Sequence, residues 1–374
     1  MKLIIEKDKL SRLLYLSSSI VQKRNTMPVL ANVKLSAEES HLSVTATDLE
    51  ISFLGREQAK VESSGSITID GKIFHDIVRE LPENEICLQV VPGQRLEIVS
   101  GVSRFKMNGT SAEEFPDISG VDLEQPVKIS SKTVLEMIEK SAFAMSSDET
   151  RFNLNGIFID IRSNTSSNFK KMRFVATDGH RLSFIERPIE FPFISQGIII
   201  PRKGVSELKR VIEESPDDHI EVGSNGGFFT VRTAGVTLGI RLVDGKYPDY
   251  MQIVPTYISG SCLVNKADLV SVVRRIALVS TDKPKTLKFR MTGGEIFISS
   301  SSAEYGEGAE SISVDQDGDD VTIGFSARYM LDLLSVMQNL EKVRIKFSGE
   351  EGPAIFCDDK DEEFSCILMP MRFE

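Results

Sequence analysis

A phrase of an aromatic residue followed by Pro-Asp recurs in this chain, and the repetition constrains the fold more than any other feature. Glu114-Phe115-Pro116-Asp117-Ile118 returns, about a third of the chain further on, as Lys246-Tyr247-Pro248-Asp249-Tyr250. Thr47-Asp48-Leu49-Glu50 returns at nearly the same offset as Thr177-Asp178-Gly179-His180. A shared offset between unrelated phrases marks tandem structural units, because each unit must place its turns at the same points of its own framework.

The apolar pattern follows the same period. Helical patterns run near residues 7–21, 131–145 and 266–280, with apolar stripes such as Leu10, Leu13, Leu14 and Ile20; Val134, Leu135, Ile138 and Ala142; and Leu269, Val272, Val273 and Ile276. Asp8 and Asn265 stand where a helix cap is useful. A second helix is predicted in each third, near residues 71–81, 202–214 and 326–337. Alternating strands fill the remainder: residues 96–107 read as a hairpin, residues 229–241 as its counterpart, and residues 354–357 with 364–368 take that place in the last third. The class is therefore α+β, in three repeated domains over residues 1–124, 125–252 and 253–374, each with two helices packed on antiparallel sheets. The polar run 163–171 reads as a surface loop.

The 374 residues are 41% apolar, enough for a core in every third. Four cysteines and four histidines are scattered without a CxxC pair, so no zinc site is expected and the cysteines read as small core residues. No run is apolar and long enough for a secretion signal or a membrane span, which points to a cytoplasmic chain.

The net charge of −11 argues at first against nucleic acid, but net charge does not locate charge. The predicted helices and their flanks hold Lys7, Lys9, Arg12, Lys23, Arg24, Lys72, Arg79, Lys132, Lys140, Arg202, Lys203, Lys209, Arg210, Arg274, Arg275 and Arg328, while acids crowd strands and loops at Glu38-Glu39, Asp317–Asp320, Glu350-Glu351 and 358–363. Three like domains in a row form an arc with unlike ends. Head-to-tail contacts between such arcs either run on into filaments or close into a ring, and two arcs closing would give six similar domains. Helices facing inward would then line a basic hole that holds duplex DNA through its phosphates, without reading sequence.

Enzymatic readings fare poorly. Asp178 and His180 could form an acid–base pair of a hydrolase, but no Gly-x-Ser-x-Gly elbow accompanies them, and Asp-Gly is ordinary turn chemistry. Residues 65–72 imitate a phosphate loop, with one residue too many between the glycines and Ile73 after the lysine. No catalytic residue and no cofactor is expected. A repeat scaffold that binds proteins but never DNA stands as an alternative.

Over essentially its whole length the chain resembles the bacterial DNA polymerase III beta subunits, the beta sliding clamps. The motifs that carry the resemblance are Val175-Ala176-Thr177-Asp178-Gly179-His180-Arg181-Leu182, Arg241-Leu242-Val243-Asp244-Gly245-Lys246-Tyr247-Pro248-Asp249-Tyr250 and the terminal Met369-Pro370-Met371-Arg372. The resemblance implies "DNA clamp" domains in a half-ring that dimerises head to tail around double-stranded DNA. It also implies placement by a clamp loader, and docking of the DNA polymerase III catalytic subunit, other polymerases and repair proteins through short linear peptides containing Gln, Leu and Phe. By motif, the peptide site maps onto Leu154, Thr177, Gly179, His180, Arg181, Leu182, Pro248, Ile253, Ile367, Met369, Pro370, Met371 and Arg372, with His180, Arg181 and Arg372 as polar handles at the rim. DNA contact is expected at Arg24, Lys72, Arg79, Asp148, Arg151, Phe152, Arg202, Lys203, Lys209 and Arg210, and the dimer contact at Phe105 and Met107 against Leu278 and Val279. Family members usually end in Leu after Arg; this chain has Phe373 and Glu374 instead, which bears on its peptide preference.

Overall fold

The computed structural model describes residues 1–21, 27–123, 125–163, 170–225, 227–280 and 285–373. Among these, six α-helices occur in pairs, one pair per third: α1 (Lys7–Ser18) and α2 (Gly71–Glu80), α3 (Ser131–Ala142) and α4 (Arg202–Glu213), α5 (Lys266–Ile276) and α6 (Ala327–Val336). All else that is regular is antiparallel strand, apart from three short 3-10 turns.

The helices end where their sequences change character. Asn265 caps α5, its side chain accepting hydrogen bonds from the backbone of Ala267 and Asp268. Asp70 and Ser326 do the same for α2 and α6. The expected cap at Asp8 is not formed. The helix α1 starts at Lys7, ahead of Asp8, with Glu6 at the cap position and no side-chain cap bond. Asp8 lies instead in the first turn, where its charge favours the positive helix end.

The chain divides into two compact units, and the central third contributes to both. The first comprises residues 1–135, 191–195 and 203–243, the second residues 136–190, 196–202 and 244–374. In the first unit the described residues form one 13-stranded sheet, in which strand Ile51–Gln58 of the first third pairs with Val236–Arg241 of the central third. The register runs from Ile51 opposite Ile240 to Gly55 opposite Val236. In the second unit a nine-stranded sheet makes the equivalent join, Arg181–Ile189 against Asp361–Leu368, with Arg181 opposite Leu368 and Ile185 opposite Phe364. A four-stranded sheet completes that unit in the order Gly306–Ser313, Glu295–Ser302, Thr286–Thr292, Val321–Ser326.

The repetition extends to side-chain hydrogen bonds. Thr47 Oγ1 donates to the Ile51 carbonyl and accepts from Leu49 N. Thr177 Oγ1 donates to the Arg181 carbonyl and accepts from Gly179 N. Asp48 and Asp178 each accept from the backbone two and three residues ahead. Both turns put their third residue at positive φ, Leu49 at 77° and Gly179 at 90°. The first copy accepts an unfavourable leucine conformation to keep the turn.

The cores are aliphatic with phenylalanine at the centre. Phe53 and Phe74 are fully buried in the first unit, and Phe289, Phe325, Phe347, Phe356 and Phe364 in the second. Cys262 and Cys366 are buried thiols whose pKa is pushed up to about 12 by burial, as for inert core residues. No described helix is long and apolar enough to cross a membrane. The expected surface loop at 163–171 lies almost wholly outside the described residues.

Candidate functional site

Four segments of the second unit meet around the Asp178–His180 turn. The turn joins strands Lys170–Thr177 and Arg181–Ile189 and is built by Asp178, whose Oδ1 accepts from the backbone N–H groups of His180 and Arg181. Behind it runs the segment 148–155. Arg151 donates from Nη1 to the Asp178 carbonyl at 2.8 Å, and Asn153 donates to the Lys246 carbonyl at 3.3 Å. The chain terminus forms the third side, Met369 N donating to the His180 carbonyl at 2.9 Å. Helix α6 forms the fourth, with the Tyr329 ring stacked on that of His180 at 5.9 Å between centroids.

The apolar residues grade from floor to surface. Thr177, Leu182 and Ile367 are buried, Leu182 paired directly with Ile367, and Leu154 is buried at the end of its loop. Ile253 (closing a 3-10 turn), Met369, Pro370 and Met371 are half-buried, while Gly179, His180, Pro248 and Arg372 are exposed. Tyr247 is buried beside the site and stacks on Phe158 with ring centroids 4.8 Å apart; burial holds its phenol well above the usual range.

Arg181 is not the rim handle that the sequence suggests. It is only 6% exposed, and its guanidinium bonds Asp178 at 3.1 Å and Asp332 at 2.7 Å between the faces of Phe143 and Tyr329. It is a cross-brace inside the wall, whereas His180 and Arg372 remain at the surface. Sequence reasoning misses Asp332, Tyr329 and Phe143. Each is ordinary in its own helix or loop, and only the tertiary fold brings them to Arg181.

The same geometry disposes of an acid–base role for Asp178 and His180. The carboxylate is occupied by two backbone N–H groups and Arg181 Nε. It binds the His180 backbone, and the imidazole stacks on Tyr329.

The cations expected to meet DNA have diverse surroundings. Lys72 and Arg79 are exposed on α2, Arg79 with Glu80 at 3.2 Å. On α4, Lys203 pairs with Asp48, Lys209 with Glu213 at 3.5 Å, and Arg210 lies over the Tyr15 ring at 5.4 Å. Arg202 is half-buried, its Nη2 donating to the carbonyls of Met145 and Ser146, and burial lowers its pKa from the ordinary value. Asp148 shapes its loop by accepting from the Thr150 hydroxyl and N–H, which hold its carboxyl below the usual range. Phe152 is 57% exposed on the same loop. Arg24 lies outside the described residues.

Phe105 and Leu278 are exposed apolar side chains at 41% and 73%, and Met107 and Val279 are half-buried. Strand Ser103–Thr110 pairs through residues 103–108 with Arg95–Ser100 and meets Gly65–Asp70 only through Gly109 and Thr110, so residues 103–108 have one open flank among the described strands. Val279 packs over Gly308, on the terminal strand of the four-stranded sheet.

Family models for the N-terminal, central and C-terminal domains of the DNA polymerase III beta subunit match residues 1–119, 128–249 and 251–372. A beta sliding clamp of Caulobacter vibrioides is 32% identical over 376 residues, covering all of both chains. The chain belongs to the DNA polymerase III beta subunit family. A second beta sliding clamp, from Pseudomonas putida, is also 32% identical with full coverage of both chains. Solved sliding clamps share the architecture: one from Caulobacter crescentus superposes with a TM-score of 0.93 at 31% identity, and one from Pseudomonas aeruginosa with 0.90 at 29%, each covering all of both chains. For a beta subunit, the segments that the motif resemblance singles out are 175–182, 241–250 and 369–372, and the first and last of these meet at the Asp178–His180 turn.

Proposed function

We propose that the chain is a non-catalytic sliding clamp, two copies of which close head to tail around duplex DNA and hold polymerase on it. The single observation that carries this reading is the full-length match to beta sliding clamps in all three domains. The modules are taken as residues 1–124, 125–252 and 253–374. Ring closure joins the open flank of residues 103–108, with Phe105 and Met107, to the terminal strand Gly306–Ser313 and the neighbouring Leu278 and Val279. The strand edges supply unpaired backbone groups, and the exposed apolar side chains supply the burial that drives association.

The inner face carries the lysines and arginines of the helices, Arg24 and the 148–153 loop. Phosphate contact of that kind is independent of sequence and weakens steeply with salt. Partner proteins, including the polymerase III catalytic subunit, other polymerases, repair proteins and the clamp loader, bind the site built from Leu154, Thr177, Leu182, Pro248, Ile253, Ile367 and residues 369–372. Its methionines adapt to different peptides, and its small area suits exchange among partners.

The test is topological. The protein is loaded on a nicked circular plasmid with its loader and separated by gel filtration. It stays with the circle and is lost when the plasmid is linearised. Retention unchanged by linearisation defeats encirclement, and no retention on the circle favours a protein scaffold that never holds DNA.

A further inference from the structure

We propose that Phe373, Gly324 and Lys288 form a latch that holds the terminal segment 369–372 in its peptide-binding shape; the inference rests on the reading of that segment as part of the partner site. The segment is anchored at its start by the hydrogen bond from Met369 N to the His180 carbonyl. A second anchor at its other end removes the backbone freedom that a single attachment leaves.

That anchor is on the edge of the four-stranded sheet. Met371 N donates to the Gly324 carbonyl at 2.8 Å, on strand Val321–Ser326, whose other flank pairs with Thr286–Thr292. Gly324 has no side chain, and the notch this leaves is occupied. A Cβ at this position would collide with the Met371 carbonyl oxygen and stand 2.6 Å from Cδ1 of Phe373. In the sheet register Lys288 lies directly opposite Gly324. Its ammonium sits over the Phe373 ring, 5.1 Å from the centroid. A missing side chain, a backbone hydrogen bond and a cation over an aromatic face therefore act on the same few residues from three directions.

The physical consequence is preorganisation. With both ends tied, Met369, Pro370 and Met371 present their half-buried side chains without first losing backbone freedom, a cost that every binding peptide otherwise has to offset. Phe373 fills part of the notch with apolar surface and offers a ring for Lys288 to cover. Phe373 is thus a positioning residue, acting through the segment before it.

The experiment uses the full chain and two readouts. One is anisotropy with a fluorescent synthetic peptide carrying Gln, Leu and Phe. The other is amide exchange of segment 369–373 by mass spectrometry. In Phe373→Ala, exchange of the segment is expected to accelerate at least about tenfold and peptide affinity to fall roughly three- to tenfold, with Phe373→Tyr restoring both. Gly324→Ala is expected to reproduce the loss by expelling the tail. Unchanged exchange in Phe373→Ala overturns the latch. Faster exchange with unchanged affinity overturns its positioning role. A chain truncated after Leu368 separates the two readings: if it binds peptide as tightly as the intact chain, the pocket assignment fails, and the exchange readout still decides the latch.

Discussion

Replacing Arg181 by Leu should loosen the second unit markedly. The side chain is buried, with Asp178 (14% exposed) on one side and Asp332 (40% exposed) on the other. Leucine keeps part of the packing against Phe143 and Tyr329 and removes both ion pairs. The Asp332 half of the loss is small, since that carboxylate can turn to water and exposed pairs contribute about 0–1 kcal/mol. The Asp178 half is larger, because its Oδ2 is left without its partner inside the wall, and breaking a buried pair costs about 3–5 kcal/mol. A partly solvated pair belongs at the low end, so the sum is about 3 kcal/mol. The chain has no tryptophan, and five of its six tyrosines lie in the second unit. Tyrosine fluorescence therefore follows that unit in a urea titration. With a slope of about 3 kcal/mol per molar, the midpoint should fall by roughly 1 M. Arg181→Lys, which keeps the charge but cannot brace two carboxylates from one planar group, should lose about half as much. A midpoint that moves by less than about 0.2 M would falsify the view of Arg181 as a structural brace and return it to the surface role its sequence position suggested.

Gly179→Ala should cost about 1–2 kcal/mol through backbone strain at φ 90° rather than collision, since the new Cβ meets only the Arg151 guanidinium at 3.4 Å; a wild-type urea midpoint with wild-type peptide affinity refutes this. Acid should weaken the second unit through Glu136 and Asp361. Burial raises both carboxyls, but hydrogen bonds from Arg187 and Lys140 outweigh it and hold them below their ordinary values. The unfolded chain then binds more protons, so stability is full above the ordinary carboxylate range and falls as pH drops below about 4. A Glu136→Gln, Asp361→Asn variant should show a flatter midpoint–pH profile than wild type between pH 7 and 3, and an equally steep one counts against the network. Leu278→Asp should leave the fold intact, because the side chain is 73% exposed, yet yield a monomer in sedimentation at low micromolar concentration; a persistent dimer removes Leu278 from the interface.

How much of this protein was written in its sequence depends on the range of the interaction concerned. The three helix pairs and the recurring Thr-Asp turn were legible because their causes are local. Apolar spacing selects the helix, and a threonine and an aspartate satisfy the backbone within four residues. The Asn265 cap was legible for the same reason; the Asp8 cap was not formed, because the helix already begins at Lys7 and Asp8 falls inside its first turn. The residues proposed for the peptide site came from motif alone; the contacts that set the 148–155 loop and Met369 against the 177–180 turn are seen in the fold.

What only the tertiary structure decided are the side-chain roles that depend on partners far along the chain. Arg181 finds Asp332 across 151 positions, and the sequence offers no sign that the two will meet. Gly324 reads as one more small residue in a strand until the terminus is seen lying in its place. Local hydrogen bonds and periodicity are encoded within a few residues, so composition and spacing suffice to find them. Burial of a charge and occupation of a notch arise only when distant strands and helices are packed side by side.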